Sequence, residues 1–80
     1  MAKSSNIVHQ YFKKAIEHAT ILVKVDPIRL KGTEIIIEKG GQPEIRELDF
    51  DEQIFDDLKA DGFVEASPLE FNLYLSGLLK

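Results

Sequence analysis

The two histidines, His9 and His18, carry the most versatile side-chain chemistry in this 80-residue chain, which contains no cysteine. Histidine can ligate a transition metal or move a proton near neutral pH. The two imidazoles are nine residues apart and fall in a segment whose apolar spacing predicts a helix. Each helical residue turns by about 100°, so the pair would point to opposite sides of that helix. We therefore expect no shared metal site and no zinc.

A second candidate is the acidic run that begins at Asp49, since carboxylates are the ligands that calcium prefers. An EF-hand loop also needs a central glycine and a closing glutamate at fixed spacing, and this run lacks that pattern. Acids in the first turn of a helix are stabilised by its dipole. The run therefore predicts a helix start and a solvated helix face, and we expect no metal and no cofactor. Its members are Asp49, Asp51, Glu52, Asp56 and Asp57.

Nucleophilic catalysis has little support in the sequence. No serine lies in a Gly-x-Ser-x-Gly elbow, and the glycines form neither type of phosphate-binding loop. We therefore predict that the chain is not an enzyme. The serines considered are Ser4, Ser5, Ser67 and Ser76.

The formal charge changes sign at Gly40-Gly41. Up to residue 41 the chain has seven Lys/Arg against four Asp/Glu, and after it three against ten. The basic half suggests weak nucleic-acid binding as an alternative function, but a net charge of −4 repels a polyanion. The cations of that alternative are Lys13, Lys14, Lys24, Arg29, Lys31 and Lys39.

Apolar residues at helical spacing predict a first helix near the N-terminus. The period then changes, because Ile21, Val23 and Val25 alternate as in a strand with one buried face. Asp26-Pro27 ends that strand, since proline has no N–H to donate. The helix pattern comprises Ile7, Val8, Tyr11, Phe12, Ala15, Ile16 and Ala19.

The glycine pair Gly40-Gly41 predicts a hairpin between two β-prone segments. A two-residue loop would pair Ile36 with Ile45, and a three-residue loop would pair Ile37 with Ile45. We favour the second, because it gathers more isoleucine on one face. Either register leaves an isoleucine on the other face, so we expect that face to be covered as well.

A second helix is predicted to be capped by Asp51, to bury Ile54, Phe55 and Leu58, and to stop at Asp61-Gly62. Residues 58–65 resemble the helix-to-wing junction of winged-helix domains over eight positions. The hairpin precedes the helix here, unlike in that fold, so the resemblance implies no function.

The C-terminal segment from Ser67 to Lys80 carries two conflicting signals. Ser67, Pro68 and Glu70 form a capping box that predicts a helix, whereas alternating apolar residues favour a strand. We predict a helix, which would be apolar on nearly all sides and therefore buried on nearly all sides. An alternative is that part of it stays exposed as an interface. The interface candidates are Leu73, Tyr74, Leu78 and Leu79.

These patterns predict one α+β domain over residues 1–80. It has an antiparallel sheet of about three strands, packed with an N-terminal helix and two C-terminal helices. The predicted function is a non-catalytic protein-protein interaction module that self-associates as a homodimer through the C-terminal segment. No apolar signal region or membrane span is present, so we expect a cytoplasmic protein. A small enzyme or divalent-metal-binding domain is the third alternative.

Overall fold

The computed structural model describes residues 8–76 and contains a five-stranded antiparallel sheet with two helices. Across the sheet the strands lie in the order β4-β3-β2-β1-β5. The predicted three-stranded sheet with three helices is therefore wrong. The elements are β1 (Gln10–Ile16), β2 (Ala19–Asp26), β3 (Lys31–Glu38), β4 (Glu44–Asp49), α1 (Ile54–Ala60), β5 (Val64–Glu65) and α2 (Pro68–Leu75).

The predicted N-terminal helix is replaced by β1, which pairs with β2 through a tight turn at Glu17 and His18. Tyr11 and Phe12 pack on opposite faces of the sheet, each against a different buried cluster. A strand that is covered on both faces has adjacent apolar residues, and this pattern also fits one half of a helix. The apolar spacing therefore could not distinguish the two structures.

The core has two parts, one on each face of the sheet. On the face covered by α2, Leu22 and Ile35 are fully buried together with Phe71 of that helix. On the face covered by α1, Val23 and Val25 pack with Leu58. The strand prediction for β2 is confirmed, but both of its faces are buried rather than one.

The hairpin at Gly40-Gly41 is confirmed, but neither predicted register is correct. Ile35 pairs with Ile45, and residues 39–43 connect the two strands. The tight turn forms where Gly41 N donates to Glu38 O at 2.9 Å, with Gly40 at a φ of +78°. The observed register differs from the favoured one by two residues, so Ile35 and Ile45 still share a face as expected.

The turn between β2 and β3 is organised by the buried carboxylate of Asp26. Its Oδ1 accepts hydrogen bonds from Arg29 N at 3.1 Å and Ile28 N at 2.9 Å. The hydrogen bond from Arg29, with that from Ile28, holds the pKa of Asp26 below its ordinary value of 3.8, against the opposing effect of burial. The predicted strand end at Asp26-Pro27 is confirmed.

This geometry predicts that Asp26 stabilises the fold in a pH-dependent way. Its lowered pKa means that the folded state favours the carboxylate, so the contribution is complete above about pH 4 and is lost as the pH falls through the folded-state pKa. Urea unfolding of wild type and Asp26→Asn measures the contribution. We expect wild type to be more stable at neutral pH and the difference to shrink in acid. A difference that is the same in acid and at neutral pH would contradict this role.

The end of α1 and the start of α2 follow their sequence signals, whereas the start of α1 does not. After α1, Phe63 N donates to Leu58 O and Gly62 N to Lys59 O, with Gly62 at a φ of +89°, which is a Schellman ending. Before α2, Ser67 Oγ accepts from Glu70 N at 3.0 Å. The predicted start at Asp51 is displaced, because α1 begins at Ile54 and Asp51 Oδ1 instead accepts from Gln53 N.

Candidate functional site

Two of the four predicted interface residues lie within the described chain. Leu73 is partly buried, and Tyr74 is partly buried against the cluster formed by Leu22 and Phe71. Leu78 and Leu79 lie outside the described residues. The structure therefore packs α2 on the sheet through Phe71 and Tyr74. The outer side of this helix is the part that a partner could contact.

The outer side of α2 carries an exposed leucine. Phe71 is 1% exposed and faces the sheet, whereas Leu69 is 69% exposed. Leu69 and Leu73 each lie two residues from Phe71, about 200° around the helix axis, and hence on the side away from the sheet. The prediction that this helix is buried on nearly all sides is wrong, because the sheet contacts one side of it.

The single charged residue of α2, Glu70, forms an ion pair with the sheet. Glu70 Oε2 accepts from Lys13 Nζ of β1 at 2.8 Å. Both side chains are partly exposed, so we regard this ion pair as positioning more than stabilising the helix. Its consequence is that the outer side of α2 presents no unpaired charge of its own.

The charge division at Gly40-Gly41 is not a division in space. All three ion pairs among residues 8–76 join a residue before the glycines to one after them. Besides Lys13 with Glu70, they link Lys31 with Asp49 at 3.6 Å and Glu34 with Arg46 at 2.5 Å. The Glu34 carboxylate raises the pKa of Arg46. The sheet thus brings the basic and acidic halves together.

The cations of the nucleic-acid alternative are divided between the two faces of the sheet. Lys13 lies on the α2 face beside Glu70, and Lys14 lies on the α1 face with its Nζ 5.9 Å from the Phe63 ring centre. Phosphate binding needs cations that converge along one surface. This arrangement does not favour nucleic-acid binding.

The candidate metal and catalytic residues are dispersed. His9 precedes β1 and His18 follows it, so the whole seven-residue strand, about 23 Å long, lies between them. Within residues 8–76, no three His, Asp or Glu side chains are placed to hold a metal ion. Ser67 caps α2, and Ser76 Oγ donates to Leu73 O at 3.1 Å.

A second feature is an aromatic cleft on the opposite side of the molecule, between α1 and the β1-β5 edge. Its volume is about 620 Å³. Phe12, Phe55 and Phe63 line it, and the Phe12 and Phe55 ring centres are 6.0 Å apart. Sequence reasoning missed this cleft because it placed Phe12 on a helix, far from any pairing with β5.

No known family model, curated protein or solved structure matches this chain. Neither helix in the described part of the chain is long and apolar enough to cross a bilayer.

Proposed function

We propose that this chain is a non-catalytic, cytoplasmic protein-interaction module that forms a homodimer through the outer side of α2 and the residues that follow it. The observation that carries this proposal is the combination of an exposed Leu69 with a helix whose only charge, Glu70, is paired with Lys13. Surface helices ordinarily present charged residues to water. Interface cores are instead depleted of charge and rich in apolar side chains.

The proposed interface centres on Leu69 and Leu73, which lie one turn apart on α2 and so form a continuous apolar strip. It includes Leu78 and Leu79 of the C-terminal segment. Tyr74 packs toward the sheet, so we assign it the role of positioning α2 rather than filling the interface. A twofold axis beside the helix would bring the same strip from both copies together, which is the commonest closed assembly.

A matched pair of substitutions tests the proposal. Leu69→Asp is expected to raise the dimer dissociation constant at least about tenfold, because dimerisation would then bury an unpaired carboxylate. Ile28 is 74% exposed in the β2-β3 turn and provides the control. Ile28→Asp makes the same chemical change at similar exposure, away from α2, and is expected to leave the dimer intact.

Light scattering after size exclusion, over a range of concentrations, measures both variants against wild type. Circular dichroism checks that each variant keeps its sheet and helices. A dimer that survives Leu69→Asp, or that dissociates equally with Ile28→Asp, would overturn the assignment of the interface to α2.

A further inference from the structure

The aromatic cleft has the size and lining of a small-molecule site. Its volume of about 620 Å³ falls within the usual range for ligand pockets, roughly 300–1,000 Å³. Three different segments supply its rings, since Phe12 lies on β1, Phe55 on α1 and Phe63 between α1 and β5. All three also pack against the Val23-Val25-Leu58 cluster, so the core fixes the apolar floor of the cleft.

The rim of the cleft carries one charge of each sign, on different walls. Lys59 lies one helical turn after Phe55, and therefore on the same side of α1. Glu65 pairs with Phe12 across the two strands and lies on the same face of the sheet. Gln10 precedes Phe12 by two residues and adds a carboxamide on that wall.

Both rim charges are open to a ligand. Within residues 8–76, neither Lys59 nor Glu65 has an oppositely charged side-chain group within 4.0 Å. A simple apolar acid would meet repulsion from Glu65, and a simple apolar amine would meet repulsion from Lys59. A ligand that carries both charges beside an apolar body can pair with Lys59 and Glu65 while its apolar part packs on the phenylalanine rings.

We propose that this cleft binds a free α-amino acid with an aromatic or branched apolar side chain. Lys59 Nζ donates to the ligand carboxylate, and the ligand ammonium donates to the Glu65 carboxylate and the Gln10 side-chain oxygen. The ligand side chain packs on the phenylalanine rings, where tilted aromatic contacts are favourable. Binding is non-covalent. The site lies on the α1 face of the sheet, opposite α2, and is independent of the proposed dimer surface.

Titration of the ¹⁵N-labelled protein with L-phenylalanine, followed by amide chemical shifts, tests this site. We expect saturable shifts in α1 and β5. Four relatives of the probe separate its parts: 3-phenylpropionate lacks the ammonium, 2-phenylethylamine lacks the carboxylate, glycine lacks the side chain, and N-acetylphenylalanine amide represents the residue within a peptide. Each is expected to bind at least about tenfold more weakly, because each leaves a charge or the apolar floor without a partner.

Variants of the exposed rim test the charges without altering the core. Lys59→Gln and Glu65→Gln are each expected to weaken L-phenylalanine binding about tenfold, through loss of a charge-assisted hydrogen bond. Lys39→Gln and Glu52→Gln make the same changes at exposed positions outside the cleft and are expected to leave binding unchanged. The proposal is overturned if L-phenylalanine, L-leucine and L-tryptophan give no saturable shifts. It is equally overturned if 3-phenylpropionate or the capped amide binds as tightly as L-phenylalanine.

Discussion

Phe71→Ala is expected to lower the free energy of unfolding by about 3–5 kcal/mol, the usual cost of removing a buried phenylalanine ring. The Phe71 side chain is the largest one that the structure buries completely. It joins α2 to the sheet, where its ring centre lies 5.4 Å from that of Tyr11. A domain of this size has only about 4–12 kcal/mol of stability in total, so this one substitution removes a large fraction of it.

Urea or guanidinium unfolding followed by circular dichroism measures this loss. Ile28→Ala serves as the control, because Ile28 is 74% exposed and its removal leaves no cavity. We expect the Ile28→Ala midpoint to stay close to that of wild type. A loss below about 1 kcal/mol for Phe71→Ala would show that α2 does not pack on the sheet as described.

Gly32→Ala is the second substitution for which we expect a large effect. A methyl group at Gly32 would lie 1.9 Å from the Lys24 carbonyl oxygen and 2.7 Å from Cε2 of Phe50. The first of these atoms belongs to the backbone of the neighbouring strand, which cannot move without disturbing the β2-β3 pairing. We expect a loss of about 3 kcal/mol in unfolding free energy, at the upper end of the usual cost of overpacking.

Gly41→Ala is the matched control for this close approach. The nearest atoms to a methyl group at Gly41 are 3.6 Å away, which is ordinary van der Waals contact. Thermal unfolding of the two variants should therefore differ clearly, with Gly41→Ala close to wild type. Equal losses would mean that the cost at Gly32 comes from the backbone freedom of glycine and not from its close approach to β2.

The parts of the fold that follow from short-range chemistry were predictable from sequence. Ser67 caps α2 through its own hydroxyl, Gly62 ends α1 in a left-handed conformation, and Asp26 ends β2 before a proline. Each of these three signals acts over a few residues and depends little on distant parts of the chain.

The N-terminal strand was not predictable from its own residues, because its identity depends on distant partners. Tyr11 and Phe12 are adjacent apolar residues that suit one half of a helix equally well. What decides the structure is that β1 lies between β2 and β5, with a helix over each face. The single-sequence pattern contains no information about those partners.

The aromatic cleft and the exposed side of α2 could not be predicted from sequence for the same reason, because both depend on distant residues. The aromatic cleft needs Phe12 beside Glu65, a pairing that exists only once β5 joins the sheet. The sequence shows that α2 is rich in leucine. It does not show which leucines face water, because that depends on which side of the helix packs on the sheet. That Leu69 and Leu75 are exposed, and Phe71 is buried, emerges only from the packed structure.

Sedimentation equilibrium of the wild-type chain measures self-association through α2 most directly. The chain mass is 9.1 kDa, and the proposed interface predicts twice that mass at high concentration, with a reversible fall toward 9.1 kDa on dilution. The dissociation constant should be insensitive to added salt, because the interface is apolar. A mass that stays at 9.1 kDa up to millimolar concentration would contradict the proposal.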